Sequence, residues 1–134
     1  MLVPILPAVA TCLALLLYAV VSFNVVRARG RYDVKAPATT GDPAFERIYR
    51  VQLNMLEQLV LFLPSMWLFA FFTSRTGAGL LGFVWVLGRV LYTWGYYRDP
   101  AKRGPGFIVS AVVSVMLLVG ATVGVLGAMS RTGL

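Results

Sequence analysis

No charged residue precedes Arg27, and the run from about Ile5 to Val26 exceeds the roughly 20 apolar residues that a helix needs to cross a bilayer. Inside lipid every backbone amide must be satisfied within the segment, so a lone run of this kind has one regular structure open to it, the α-helix. Three more apolar runs follow, at about residues 44–73, 80–97 and 107–129. Four passes take up roughly 80 residues and leave only short connections in a chain of 134. With 59% hydrophobic and 13% charged residues and a mean hydropathy of +0.80, the sequence is too apolar for a soluble domain of its length. It predicts an all-α integral membrane protein. Residues 1–134 form one membrane domain, a four-helix, left-handed up-and-down bundle.

The connections carry recognisable punctuation. Gly, Pro and Thr crowd residues 27–44, and Asp42-Pro43 reads as a helix start, with Asp as N-cap, Pro in the first turn and Glu46 favourable to the dipole. Pro64 is a candidate kink in the second segment, a turn is expected around Ser74 to Gly79, and RDPAKRGPG from Arg98 breaks the pattern after the third. Basic residues are distributed unevenly. Arg27, Arg29, Arg31, Lys35, Arg47, Arg98, Lys102 and Arg103 lie near the first and third connections, whereas Arg75 and Arg131 lie at the other side. Positive residues mark the cytoplasmic face, so both termini are expected on the non-cytoplasmic side, in a bacterial inner membrane or the endoplasmic reticulum. The first segment reads as retained, because its basic residues follow the apolar run instead of preceding it. Much of the net charge of +7 is thereby explained by topology and a membrane surface, and no nucleic-acid partner is expected.

Composition removes several kinds of chemistry. With no His and one Cys, the chain cannot build a His-centred triad, a His/Cys zinc site or an internal disulfide, and no metal site is expected. Catalysis would have to use carboxylate, Arg or Tyr, or a reactive group carried by a ligand. The polar residues inside the apolar runs therefore matter most. FERIYRVQLNMLEQ, from Phe45, spaces Arg47, Arg50, Asn54 and Glu57 by three, four and three, which at about 100° per residue confines them to an arc of roughly 80°. A charge at the bilayer centre costs about 2.5 kcal/mol or more, so this stripe must face protein, water or a polar ligand. Gln52 points off the stripe. GRVLYTWGYY, from Gly88, sets Arg89, Tyr92 and Tyr96 on one helical face in the same manner. Two such stripes facing each other would offer a carboxylate for an ammonium group, guanidinium groups for carboxylates, and amide and phenol groups for peptide bonds. That set suits a small zwitterionic, peptide-like ligand. The bland reading is that Arg50, Glu57 and Arg89 only neutralise one another within the bundle. Gly120-x-x-x-Gly124 reads as a plain helix contact, Trp94 and Tyr97 as interfacial aromatics, and Cys12 as packing.

FERIYRVQLNMLE, FLPSMWLF, GRVLYTWGYY and KRGPG together resemble the MAPEG family, the membrane-associated proteins in eicosanoid and glutathione metabolism, and most of all its branch of microsomal glutathione transferases and leukotriene-forming synthases. The resemblance implies a homotrimer of four-helix subunits with glutathione held between adjacent subunits near the cytoplasmic face. It assigns the tripeptide to Arg50, Asn54, Glu57, Tyr92 and Tyr96, with Arg29 and Gln52 contributed by the neighbouring subunit. It also places Arg103 near the thiol, as the group that stabilises the thiolate. A broad, detoxifying transferase or peroxidase follows, with glutathione as cosubstrate and a lipophilic electrophile or lipid hydroperoxide as the second substrate. Leukotriene synthesis in particular does not follow, because Gly30 and Gln58 stand where the leukotriene-forming enzyme has Arg and Tyr, although Arg31 is near Gly30. A non-catalytic, lipid-binding scaffold of the same family and a small multidrug transporter are the alternatives. The transporter would carry its carboxylate in the first helix, which has none here.

Overall fold

The computed structural model describes residues 3–134 and contains four long helices: α1 (Ile5–Arg31), α2 (Pro43–Phe72), α3 (Arg75–Arg98) and α4 (Gly104–Thr132). A 3₁₀ turn, Pro100–Arg103, leads into α4. Each long helix has the length and hydropathy to cross a membrane. The surface is inverted relative to a soluble protein, with Val60, Leu87, Phe71 and Val123 each at least 65% exposed.

Local chemistry sets the helix ends. Asp42 Oδ1 accepts the Ala44 N–H at 2.8 Å and Pro43 opens α2, as its sequence indicates. The helix then runs through Pro64 to Phe72. At α1 the helix continues past Val26 to Arg31, because charge ends the lipid-buried part of a segment without ending its helix. Arg27, Arg29 and Arg31 are consequently helical rather than part of a loop. Helix α3 starts at Arg75 instead of near Leu80, since Ser74 Oγ accepts the Gly77 N–H at 3.0 Å and makes this residue an N-cap. The stretch after Arg98 is likewise ordered: Asp99 Oδ1 accepts the Ala101 N–H at 3.0 Å, and α4 begins at Gly104 with Pro105 in its first turn.

The core is filled by stacking and by small residues. Phe62 of α2 lies parallel to Trp85 of α3, with ring centroids 3.9 Å apart, and Met55, Met66 and Leu117 are fully buried around them. Ala10 and Ala14 give α1 a close approach to this cluster. The Gly120 and Gly124 pair lies against α2: a Cβ at Gly120 would strike the Phe69 ring, and Thr73 Oγ1 donates to the Gly120 carbonyl at 2.8 Å. The motif is a helix contact within the chain.

At the other end, α3 and α4 approach backbone to backbone. A Cβ on Gly106 would meet the Tyr92 backbone nitrogen and lie 2.6 Å from the Gly88 carbonyl oxygen, whereas a Cβ on Gly104 would meet nothing within 4 Å. Gly106→Ala should therefore lower stability by about 1–3 kcal/mol, the usual cost of overpacking, and Gly104→Ala should be neutral or slightly stabilising. Thermal unfolding of the two variants in one detergent measures the difference.

Candidate functional site

The close α3–α4 contact leaves a cavity on its α2 side, at the end of the bundle where α2 and α4 begin and α3 finishes. Its volume is about 410 Å³, within the roughly 300–1,000 Å³ usual for small-molecule sites. Helix α2 supplies Arg50, Leu53, Asn54 and Glu57; α3 supplies Tyr92 and Tyr96; Arg103 comes from the 3₁₀ turn and Phe107 from α4. The structure thus brings together Arg50, Asn54, Glu57, Tyr92, Tyr96 and Arg103, which the sequence singled out from three separate stretches. Arg47, on the same stripe of α2, does not line the cavity.

Two distinct walls result. One is aromatic and cationic: Tyr92 and Tyr96 have ring centroids 5.6 Å apart, and the Arg103 guanidinium stands 5.8 Å from the Tyr96 centroid. The other consists of Leu53, 38% exposed, and Phe107, 40% exposed, which continue the lipid-facing surface into the cavity. Sequence reading missed both, since a Leu and a Phe in membrane helices carry no signal.

Arg89 does not line the cavity. It lies beneath it with no exposed surface, donating from Nη2 to Asn54 Oδ1 at 2.6 Å and from Nη1 to Ser110 Oγ at 3.4 Å. Its guanidinium also lies 4.0 Å from the Tyr92 ring centroid. A guanidinium has donors only, so the Asn54 amide must turn its oxygen inward and leave its two N–H groups for a ligand. Arg89 therefore pairs with an amide and a hydroxyl, not with Glu57. Ser110 was missed by sequence reading. Its signal was present, a polar residue one turn from Ser114 in the otherwise apolar first half of α4, and both serines are fully buried.

Arg29 and Gln52 lie elsewhere. Arg29 Nη1 donates to the Ala38 carbonyl at 2.7 Å and its guanidinium lies 5.2 Å from the Phe45 centroid, tying down the first connection. Gln52 Nε2 donates to Ser22 Oγ of α1 at 3.3 Å. Within one chain neither reaches the cavity.

Residues 7–123 match the model of the MAPEG family. The chain belongs to this family. An uncharacterized protein of Synechocystis, sll1147, is 52% identical over 120 residues, covering 90% of this chain and 88% of that protein. Leukotriene C4 synthase of Cavia porcellus is 40% identical over 119 residues, 89% of this chain and 79% of the synthase. Human microsomal glutathione S-transferase 2 is 38% identical over 101 residues, 75% of this chain and 69% of the transferase. Family membership and four helices able to span a bilayer make this an integral membrane protein.

The Arg89–Asn54 bond is open to a direct test. Asn54→Leu leaves a buried guanidinium without its acceptor and should cost about 2–3 kcal/mol, whereas adding Arg89→Met to that variant should restore most of the loss. A double-mutant cycle on thermal unfolding in detergent reads this coupling.

Proposed function

We propose that the protein is a membrane-bound, glutathione-dependent transferase or peroxidase acting on lipophilic substrates. The observation that carries this reading is the donor set of the cavity: one carboxylate, Glu57, set among two guanidinium groups, an amide and two phenols at the end of an apolar bundle. A γ-glutamyl tripeptide presents the complementary groups. Glu57 would take its ammonium, Arg50 a carboxylate, and Asn54, Tyr92 and Tyr96 its amides and remaining oxygens. The relatives named for glutathione transfer and leukotriene C4 synthesis support the same reading.

Such a ligand supplies the nucleophile that the chain lacks. A thiol with a pKa near 8.5 is only a few per cent ionised at neutral pH, and a guanidinium at hydrogen-bonding distance favours the thiolate. Arg103 is the group for that role. In conjugation, the thiolate sulfur forms a bond to an electrophilic carbon and the leaving group departs with the bonding pair. In peroxide reduction, the thiolate attacks the distal oxygen and the alkoxide leaves and takes up a proton. A second glutathione then displaces water from the sulfenic acid to give the disulfide. Leu53 and Phe107 form the side through which a lipid-borne substrate would approach.

Two features favour association of copies with each glutathione held between them, and the family resemblance makes that assembly a homotrimer. Arg50 and Glu57 are exposed on a single chain, and Glu57 lies on a helix otherwise suited to lipid, so each calls for a polar covering surface. Arg29 and Gln52, directed away from their own cavity, would contribute from the neighbouring copy. A cytoplasmic site and both termini on the opposite side fit the distribution of basic residues, in a bacterial inner membrane or equally in the endoplasmic reticulum.

Arg103→Ala should reduce kcat at least tenfold and change glutathione affinity less than threefold, with Arg103→Lys intermediate, as expected for roughly 1.4 kcal/mol or more of selective thiolate stabilisation. Glu57→Ala should abolish saturable glutathione binding. Turnover of a generic aromatic electrophile and of a lipid hydroperoxide, together with glutathione titration of the purified protein, tests both. Unchanged turnover in both variants would refute the assignment, and absence of glutathione binding by the unmodified protein would favour a non-catalytic scaffold.

A further inference from the structure

A second cavity, of about 290 Å³, opens between α1 and α3 at the same end of the bundle, and nothing in the proposed reaction uses it. Asn24, Arg27, Arg31 and Tyr32 line it, with Tyr97 of α3 and Ile48 of α2. Tyr97 is not simply an interfacial aromatic. Its hydroxyl accepts from Asn24 Nδ2 at 3.1 Å, which leaves the phenolic proton free to donate into the cavity. No carboxylate is among the lining residues. Arg27 and Arg31 are one helical turn apart, and like charges at that spacing repel. The dipole at the end of α1 and the positive-inside preference account for cations at this end, but not for two guanidiniums opening on one cavity with phenol and amide groups and no lining carboxylate.

The lipid-facing approach to this cavity is mainly apolar on both sides, with the Arg98 guanidinium 4.0 Å from the Trp94 ring centroid on the α3 side. Along α1, Leu16, Val20 and Phe23 lead to Arg27 at steps of four, three and four, and they are 62%, 48% and 61% exposed. Along α3, Val90 and Trp94, 46% and 56% exposed, lead to Tyr97. Arg27 is the first charge after the membrane-buried part of α1, so the cavity stands at headgroup level. Two donors of fixed positive charge below two apolar stripes match the phosphate and acyl chains of one molecule.

We propose that the α1–α3 cavity binds the phosphate of an anionic phospholipid, with the acyl chains laid along the Leu16–Val20–Phe23 and Val90–Trp94 stripes. The ligand differs from the tripeptide in class and occupies another face of the bundle, so this site holds whether or not the protein is a glutathione enzyme. A bound lipid would join the ends of α1 and α3.

Native mass spectrometry of the intact protein, titrated with phosphatidylglycerol, phosphatidylcholine or inorganic phosphate, tests the site. Phosphatidylglycerol should bind saturably and more tightly than phosphatidylcholine, and millimolar inorganic phosphate should not displace it. Arg27→Gln/Arg31→Gln should weaken phosphatidylglycerol binding roughly 30-fold, from about fivefold for each basic residue at an anionic surface. Lys35→Gln/Lys102→Gln removes the same charge from exposed positions outside the cavity and should weaken it less than threefold. Tyr97→Phe keeps every charge and should weaken it about fivefold, so it decides the matter if the double Arg variant does not fold. Equal loss in the Lys control, unchanged binding in Tyr97→Phe or the double Arg variant, or equal affinity for the two lipids would overturn the proposal. Displacement by inorganic phosphate would assign the cavity to a free anion and overturn the lipid.

Discussion

A guanidinium with no exposed surface in the middle of a membrane bundle is costly unless its donors find acceptors, and the arrangement around Arg89 follows from that cost. Asn54 and Ser110 accept from its two terminal nitrogens, one from α2 and one from α4, while Nε has no partner among the described residues, so one side chain on α3 ties three helices at a single level. The close α3–α4 approach at Gly106 and Gly88 lies beside this point. Without it, Ser110 would not reach Arg89. The cavity floor is therefore tied to three helices for an electrostatic reason, and the Asn54 amide is oriented before any ligand arrives. Preorganisation of this kind lowers the ordering cost of binding.

The same device separates two roles that the sequence had placed on one stripe. Arg89, Tyr92 and Tyr96 share a helical face, yet only the tyrosines open on the cavity. Depth along the helix decides: Arg89 is one turn farther from the bundle end and is covered by α2 and α4. Much of the fold was legible, because hydropathy and the need to satisfy backbone amides in lipid determine the helices almost without reference to tertiary contacts. The ends were less so. Ser74 as an N-cap and the 3₁₀ turn after Asp99 depend on single side-chain bonds within segments that read as breakers.

Within the site, charged and amide residues were legible for the reason that makes them costly: a polar group in an apolar run stands out. Leu53 and Phe107 were not, since the contribution of an apolar wall resides in its position alone. Arg29 and Gln52 show a different limit. Sequence spacing put Gln52 off the polar stripe, and its bond to Ser22 agrees, but no pattern along one chain states what a residue on an outer face will meet. The family motif spoke to that, and the packing of one chain does not.

The mixed walls of the larger cavity have a consequence for solubility. Guanidinium, carboxylate and amide groups dissolve an ionic solute, whereas Leu53 and Phe107 dissolve a hydrocarbon, and both lie within the dimensions of one small molecule. Under the proposed reaction, two compounds that partition into opposite phases, and so almost never collide in either, would share a compartment there. The cavity acts as a phase boundary of molecular size, held open by the helices on which it is built.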